Sequence, residues 1–306
     1  MKKNASLSIG VLAGISSGML FGSDFLPAQI LSSFTSLEFY FIRAFFFGAA
    51  GFLFIRPAFR AFRAFTMRDK LLAVALNAAG FWLYSLLLFW SIKHGNAVVS
   101  TIVVGAMPAT IALASKKISD LGAPFIAGIA LILAGLLTLN IASFSVISGA
   151  GFVVWILPFV CLLLWTWYAV ANAGFVKRHP ELSKTDMVSI MGVLSFVIMI
   201  SVGACTLDIP HLVHHEQFAT YALWGFISGV GSSWLGFWLW NICSKHCPPS
   251  VSGPLLVSET MFGLLYTFIY QHRLPEPNEA AAILLFGIGA VLVIRAETRA
   301  VDAIPL

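Results

Sequence analysis

The apolar residues of this chain fall into ten blocks of membrane-crossing length, and its basic residues crowd into alternate gaps between them. Crossing about 30 Å of hydrocarbon at 1.5 Å per residue takes roughly 20 apolar residues. The blocks run Leu7–Leu26, Leu37–Ile55, Leu71–Ile92, Ala97–Ser115, Leu121–Ile141, Gly151–Val176, Met187–Leu207, Phe218–Ile242, Val251–Tyr270 and Pro277–Ile294. Hydrophobic residues make up 59% of the chain and charged residues 10%, which excludes an ordinary soluble domain. Ten spans within 306 residues leave only short connections. Whatever the chain does, it does inside a bilayer.

Orientation follows from the basic residues. With the N-terminus in the cytoplasm, that side carries Lys2, Lys3, Arg56, Arg60, Arg63, Arg68, Lys70, Lys116, Lys117, Lys177, Arg178, Lys184, Lys245, Arg295 and Arg299, fifteen of the eighteen. The other side holds Lys93 and Arg273, and Arg43 lies within a span. This is the asymmetry expected for an even number of spans with both termini cytoplasmic. The basic start followed by an apolar run imitates a secretory signal. That run is long enough to span, and no small-x-small cleavage site follows it. The net charge of +5 is assigned to loops that meet anionic headgroups, with no soluble basic patch to suggest nucleic acid. Cys161, Cys205, Cys243 and Cys247 have no metal-ligand spacing and read as free, small, apolar residues.

Shifted by 152 residues, the sequence aligns with itself. Between Trp82–Pro108 and Trp234–Thr260, seven of 27 positions agree: Trp82/Trp234, Leu83/Leu235, Leu87/Leu239, Lys93/Lys245, His94/His246, Val99/Val251 and Ser100/Ser252. The same offset brings Gly135 onto Gly287. Five spans in each half is an odd number, so the halves must insert with opposite orientation. The expected fold is therefore an all-α integral membrane protein, ten transmembrane helices as two inverted five-helix repeats, residues 1–145 and 146–306. Inverted repeats are a common architecture of secondary transporters, with substrate held near the midplane.

Several segments carry a family resemblance. Phe21-Gly22-Ser23-Asp24-Phe25, Arg43 after Leu37–Ile42, Ala106-Met107-Pro108, Ser258-Glu259-Thr260 and Gly128–Gly135 together resemble the drug/metabolite transporter superfamily, whose members carry two EamA-type repeats. Within it the small loops and the Trp and Phe content look most like the YddG-type aromatic amino acid exporters. The resemblance covers nearly the whole chain and implies transport of small organic solutes. Tyr270-Gln271-His272-Arg273 stands where the family has Gly-Glu before the tenth helix, Thr260 replaces the second repeat's Pro, and Asp24 replaces an Asn. A mechanism resting on that missing Glu does not transfer.

A charge inside a span costs a few kcal/mol, so each needs a partner or a wet cavity. Asp24 near the end of the first span and Arg43 in the second are placed to pair, either as a gate or substrate dock or as a static tie between helices. Glu38 sits at the interface and reads as solvated. Glu259, read as mid-helix in the ninth span, is either a substrate-ammonium or proton site or a structural hydrogen-bonding group. Polar and aromatic residues stack at helical spacing: Asn77, Gly80 and Tyr84; Trp165, Tyr168 and Asn172; Trp234, Trp238 and Asn241. Such stripes line either a cavity suited to a flat amphipathic solute or ordinary helix packing. Gly10, Gly14, Gly18 and Gly22 form a close-packing stripe.

Rival classes fare worse. His211-Leu212-Val213-His214-His215 has the HxxHH spacing of membrane metal enzymes, but it is a single cluster on the non-cytoplasmic side. No Gly-rich phosphate loop points to an ATP-driven pump, and no ring of like charge points to a channel. Arg43 is the only basic residue within a span, which argues against phosphorylated solutes. The expectation is a non-enzymatic exporter in the plasma membrane (the inner membrane of a bacterium), without cofactor, metal or obligate protein partner. Its partners would be the lipid bilayer and a small-molecule substrate, an aromatic or bulky neutral amino acid. Other metabolites or drug-like cations are the alternative.

Overall fold

The computed structural model describes residues 2–94, 97–140 and 153–302. Among the described residues the chain is helical and contains no strand. The rods are α1 (Lys2–Gly22), α2 (Ser36–Leu53), α3 (Met67–Asn77, Ala78–Trp82 and Leu83–His94), α4 (Ala97–Gly105 and Met107–Ala114) and α5 (Ala123–Leu139). They continue as α6 (Val153–Arg178), α7 (Lys184–Thr206), α8 (Phe218–Phe226, Ile227–Leu235 and Gly236–His246), α9 (Pro249–Leu255 and Val257–Tyr270) and α10 (Pro277–Asp302). The proposed boundary at residues 145 and 146 lies outside the described residues.

Six of these, α1, α2, α3, α6, α7 and α10, are long and apolar enough to cross a bilayer by themselves. The other four blocks depart from the uninterrupted helices expected. α5 has 17 residues, α4 breaks at Ala106 and α9 at Leu256. α8 carries a π-helical stretch, Ile227–Leu235, through its middle, and α3 has a shorter one at Ala78–Trp82. Proline accounts for both breaks. It removes an N–H from the helical ladder and crowds the preceding turn, and Pro108 follows one break while Pro254 precedes the other. At each break the backbone tightens to three-residue bonds, Ala109 N–H to Ala106 O and Glu259 N–H to Leu256 O. α1 ends at Gly22, four residues before its expected end, and Ser23–Phe25 continues as a 3₁₀ turn.

Two corresponding helices start with the same device. Thr35 before α2 and Ser183 before α7 each form a capping box, with Glu38 and Asp186 reaching back to the cap. Glu38 is thus a capping residue rather than a merely solvated one. A helix absent from the expectation, Ile55–Ala64, joins α2 to α3.

Contacts between linking segments define two ends. At the basic end Lys116 pairs with Glu297, Lys177 donates to Cys247 O, Ser6 bonds His246, and His179 meets Asp69. At the opposite end Gln29 bonds Thr267 and Gln271, Ser33 bonds Gln217, and Tyr221 donates to the Glu38 carbonyl.

The helix pairings repeat when each helix in the first five is exchanged with its counterpart five later. α2 packs along α7, α5 along α10 and α4 against α9. α1 packs on α8 and α9, and correspondingly α6 packs on α3 and α4. The largest hydrophobic cluster joins both sets, with Phe21, Phe47, Phe81 and Met107 meeting Trp165, Tyr168, Met191, Phe237 and Trp240.

Candidate functional site

Arg43 is buried and connects the two halves of the chain. Its Nη2 lies 2.9 Å from Asp24 Oδ2, its Nε donates to Ser233 Oγ at 2.8 Å, and Nη2 donates to Ser232 Oγ at 3.3 Å. Ser232 in turn donates to Asp24 Oδ2 at 2.6 Å. The guanidinium carbon lies 5.8 Å from the Tyr40 ring centroid and 5.3 Å from that of Phe81. Asp24 sits in the 3₁₀ turn after α1, Arg43 on α2, and the two serines in the π stretch of α8. Asp24 Oδ1 is buried and has no hydrogen-bond partner among the described residues. A largely buried ion pair holds only while both members stay, because removing one strands the other's charge.

Glu259 lies beside this pair. At the middle of α9, it occupies the first turn of the second piece, directly after the break. It is within electrostatic range of both Asp24 and Arg43, and no hydrogen bond or ion pair engages its carboxylate among the described residues. α1 is pressed against it. A Cβ added at Gly22 would come within 2.8 Å of Glu259 O and Gly263 N, and one at Gly18 would meet Glu259 N at 2.9 Å.

Phe81 and Phe237 connect Arg43 to an aromatic lattice built on α6. Trp165, Tyr168 and Asn172 are all buried on one face of that regular helix. Ring centroids of Trp165 lie 6.4 Å from Tyr84, 5.2 Å from Tyr168 and 5.7 Å from Trp240. Tyr168 also meets Phe237 at 6.1 Å, and Gly80 leaves room for its ring. Asn172 Nδ2 donates to Asn241 Oδ1 at 2.9 Å. Tyr168 Oη, Trp240 Nε1, Asn172 Oδ1 and Asn241 Nδ2 remain buried without partners among the described residues. Buried polar atoms left open in this way are costly.

The stripes expected on α3 and α8 do not stay together, for a reason built into the π segments. A π turn carries more residues than an α turn, so it rotates the remainder of the helix out of register. Asn77, before one such segment, donates to Met191 O at 3.0 Å and Ser195 Oγ at 3.2 Å on α7, while Tyr84, after it, faces α6. On α8, Trp234 stacks on Phe54 at 5.3 Å, Trp238 lies at the edge of the central cluster, and Asn241 reaches Asn172. Trp240 and Phe237, which spacing alone did not select, supply the α8 aromatics of the lattice. Ser232 and Ser233 were also missed, since nothing in a Gly-Ser-Ser run marks a guanidinium partner.

Cavities open at both ends. One of about 280 Å3 lies at the end opposite the basic residues, lined by the α1–α2 link and reaching Asp24, Tyr40 and Arg43. The other, about 540 Å3, lies at the basic end between the Ile55–Ala64 helix and the α6–α7 link, with Arg60, Phe65, Asp69, His179 and Glu181 on its walls. There His179 Nδ1 is 2.9 Å from Glu181, and Nε2 is 3.5 Å from Asp69. A backbone N–H and the neighbouring His179 hold the Glu181 carboxyl below the usual carboxylate range. The expected HxxHH cluster serves a short helix: His214 bonds Pro210 O, and His215 accepts from Gln217 N–H.

Apolar helices long enough to cross a bilayer, polar groups gathered at their centre and a segregated basic end define a multi-pass integral membrane protein. No family model matches the chain. It is 29% identical over 261 residues to Inner membrane protein YtfF of Escherichia coli (strain K12), covering 77% of this chain and 79% of that one. With its apolar helices, that likeness assigns the chain to the inner membrane. A solved crystal structure superposes on 95% of this chain and 98% of its own at a TM-score of 0.76, with 17% sequence identity, a likeness of fold.

Proposed function

We propose that the chain is a secondary transporter of small organic solutes, an exporter of aromatic or bulky neutral amino acids in the drug/metabolite transporter manner. Two inverted five-helix units would cross the membrane ten times, with both termini cytoplasmic, and rock about a central site. Symmetric helix pairing supports this, as do the matching capping boxes of α2 and α7. The two cavities lie at opposite ends, where alternating access needs its two mouths.

The observation that carries the reading is the Arg43 assembly at the foot of one cavity. Arg43 and Asp24 come from the first half and Ser232 and Ser233 from the second, so opening the halves there would remake the bonds to the two serines. Each group suits part of an amino acid. Arg43 would take the substrate carboxylate from Asp24, the unpartnered Glu259 would take the ammonium, and the Trp165–Tyr168–Trp240 lattice would take a flat side chain. A carboxylate free of protein partners also suits a drug-like cation, which is the second reading. No bond is made or broken in either, so the chain needs no cofactor and is not an enzyme.

Counterflow in proteoliposomes tests the proposal, comparing Phe, Trp, Met, Thr and Ala with nucleotide sugars and with lipophilic cations, with and without a pH gradient. Exchange of Phe and Trp above the other solutes supports amino acid export. Exchange confined to cations selects the second reading. Failure of every solute to exchange overturns both.

A further inference from the structure

The helix Ile55–Ala64 walls the cavity at the basic end with Pro57, Arg60, Ala61 and Ala64, but its exposed arginine face has no role in the transport reading. At 100° per residue, Arg56, Arg60 and Arg63 share an arc of about 60°. Ala58, on the opposite side, is fully buried where the helix packs on α7. Phe59 flanks the arginine arc and is 55% exposed.

All three arginines are exposed, and none has a carboxylate partner among the described residues. Arg63 instead lies over the Phe59 ring at 5.8 Å. Asp69 and Glu181, which share the cavity wall with Arg60, are engaged by Thr66 and His179. Three like charges are therefore held on about two turns of helix without a direct carboxylate partner. Such an exposed array of one sign attracts anions.

The tether decides which anion. The helix is joined directly to α2 at Leu53 and nearly so to α3 at Met67, both spanning helices, so it cannot leave the membrane surface. Leu53, Phe54 and Met67 beside it are exposed apolar residues that need acyl chains for cover. Basic and aromatic groups together at this depth match the headgroup and upper chain of a phospholipid.

We propose that Ile55–Ala64 is a docking surface for anionic phospholipids, with Arg56, Arg60 and Arg63 binding headgroup phosphates and Phe59 inserted beside the glycerol. The test uses the purified full chain in neutral detergent, titrated with fluorescent phosphatidylglycerol or phosphatidylcholine. Wild type should prefer phosphatidylglycerol, and the R56Q/R60Q/R63Q variant should bind it roughly 100-fold more weakly, since each basic residue near an anionic surface counts for about a factor of five. R295Q/R299Q removes two exposed arginines from the same end and should weaken binding far less. Equal loss in the two variants, or no loss in the triple variant, overturns the proposal. Displacement of the lipid by millimolar inorganic phosphate also overturns it, since the surface would then be a free-phosphate site. All five arginines are exposed, and unchanged thermal stability of both variants confirms that they fold.

Discussion

Replacing Arg43 by Gln is the sharpest perturbation of the central assembly. It removes an ion pair at 2.9 Å and two hydrogen bonds to Ser233 and Ser232 at 2.8 and 3.3 Å. Asp24 would keep only Ser232, with its second oxygen already lacking a partner. The two side chains are 11% and 20% exposed, so water screens them little. Breaking one side of a buried pair costs about 3–5 kcal/mol. Coulomb's law at an effective dielectric of about 20 gives about 4 kcal/mol for charges about 4 Å apart, which agrees. Asp24→Asn should cost less, because Arg43 retains both serines. The double variant removes both charges and should recover at least about 1.5 kcal/mol of the summed single losses, as coupled neighbours do. Unfolding in mixed micelles with graded sodium dodecyl sulfate measures all four proteins. A loss below about 1 kcal/mol for Arg43→Gln, or strict additivity in the double variant, would refute the coupling.

Gly22→Ala should destabilise the same preparation by about 1–3 kcal/mol, because its new methyl meets Glu259 and Gly263 backbone that cannot swing aside. Glu259→Gln should reduce amino acid counterflow at least tenfold while leaving expression intact, and unchanged flux removes it from the site. Trp165→Ala should lower exchange of Phe and Trp more than that of Ala, since it opens the lattice at three ring contacts. Asp24→Asn should alter flux if the pair gates, and leave transport untouched if it only ties α1 to α2.

Much of the fold lay in patterns that lipid makes unambiguous. A bilayer admits apolar helices of a fixed length, so the blocks were visible, and charge sorted their ends. Charge at depth was legible for the same reason: Asp24 and Arg43 stood out because so few charges occur within spans. Interruptions were not legible. α9 breaks although Thr260 replaces the expected proline, with Pro254 in the preceding turn bearing the constraint. The π stretches at Ala78–Trp82 and Ile227–Leu235 left no compositional mark. They decide that Asn77 faces α7 and that Trp240 joins Trp165. The Ile55–Ala64 helix went unread because its arginines satisfied the charge rule without any need for structure.

Opposed insertion of the two halves is tested most directly by side-specific labelling of a cysteine-free chain. Ser32→Cys and Pro180→Cys introduce single thiols at exposed positions in the corresponding α1–α2 and α6–α7 links. A membrane-impermeant maleimide should modify Ser32→Cys in intact spheroplasts and Pro180→Cys only in inside-out vesicles. Modification of both from one face would contradict the inverted architecture and the transport reading built on it.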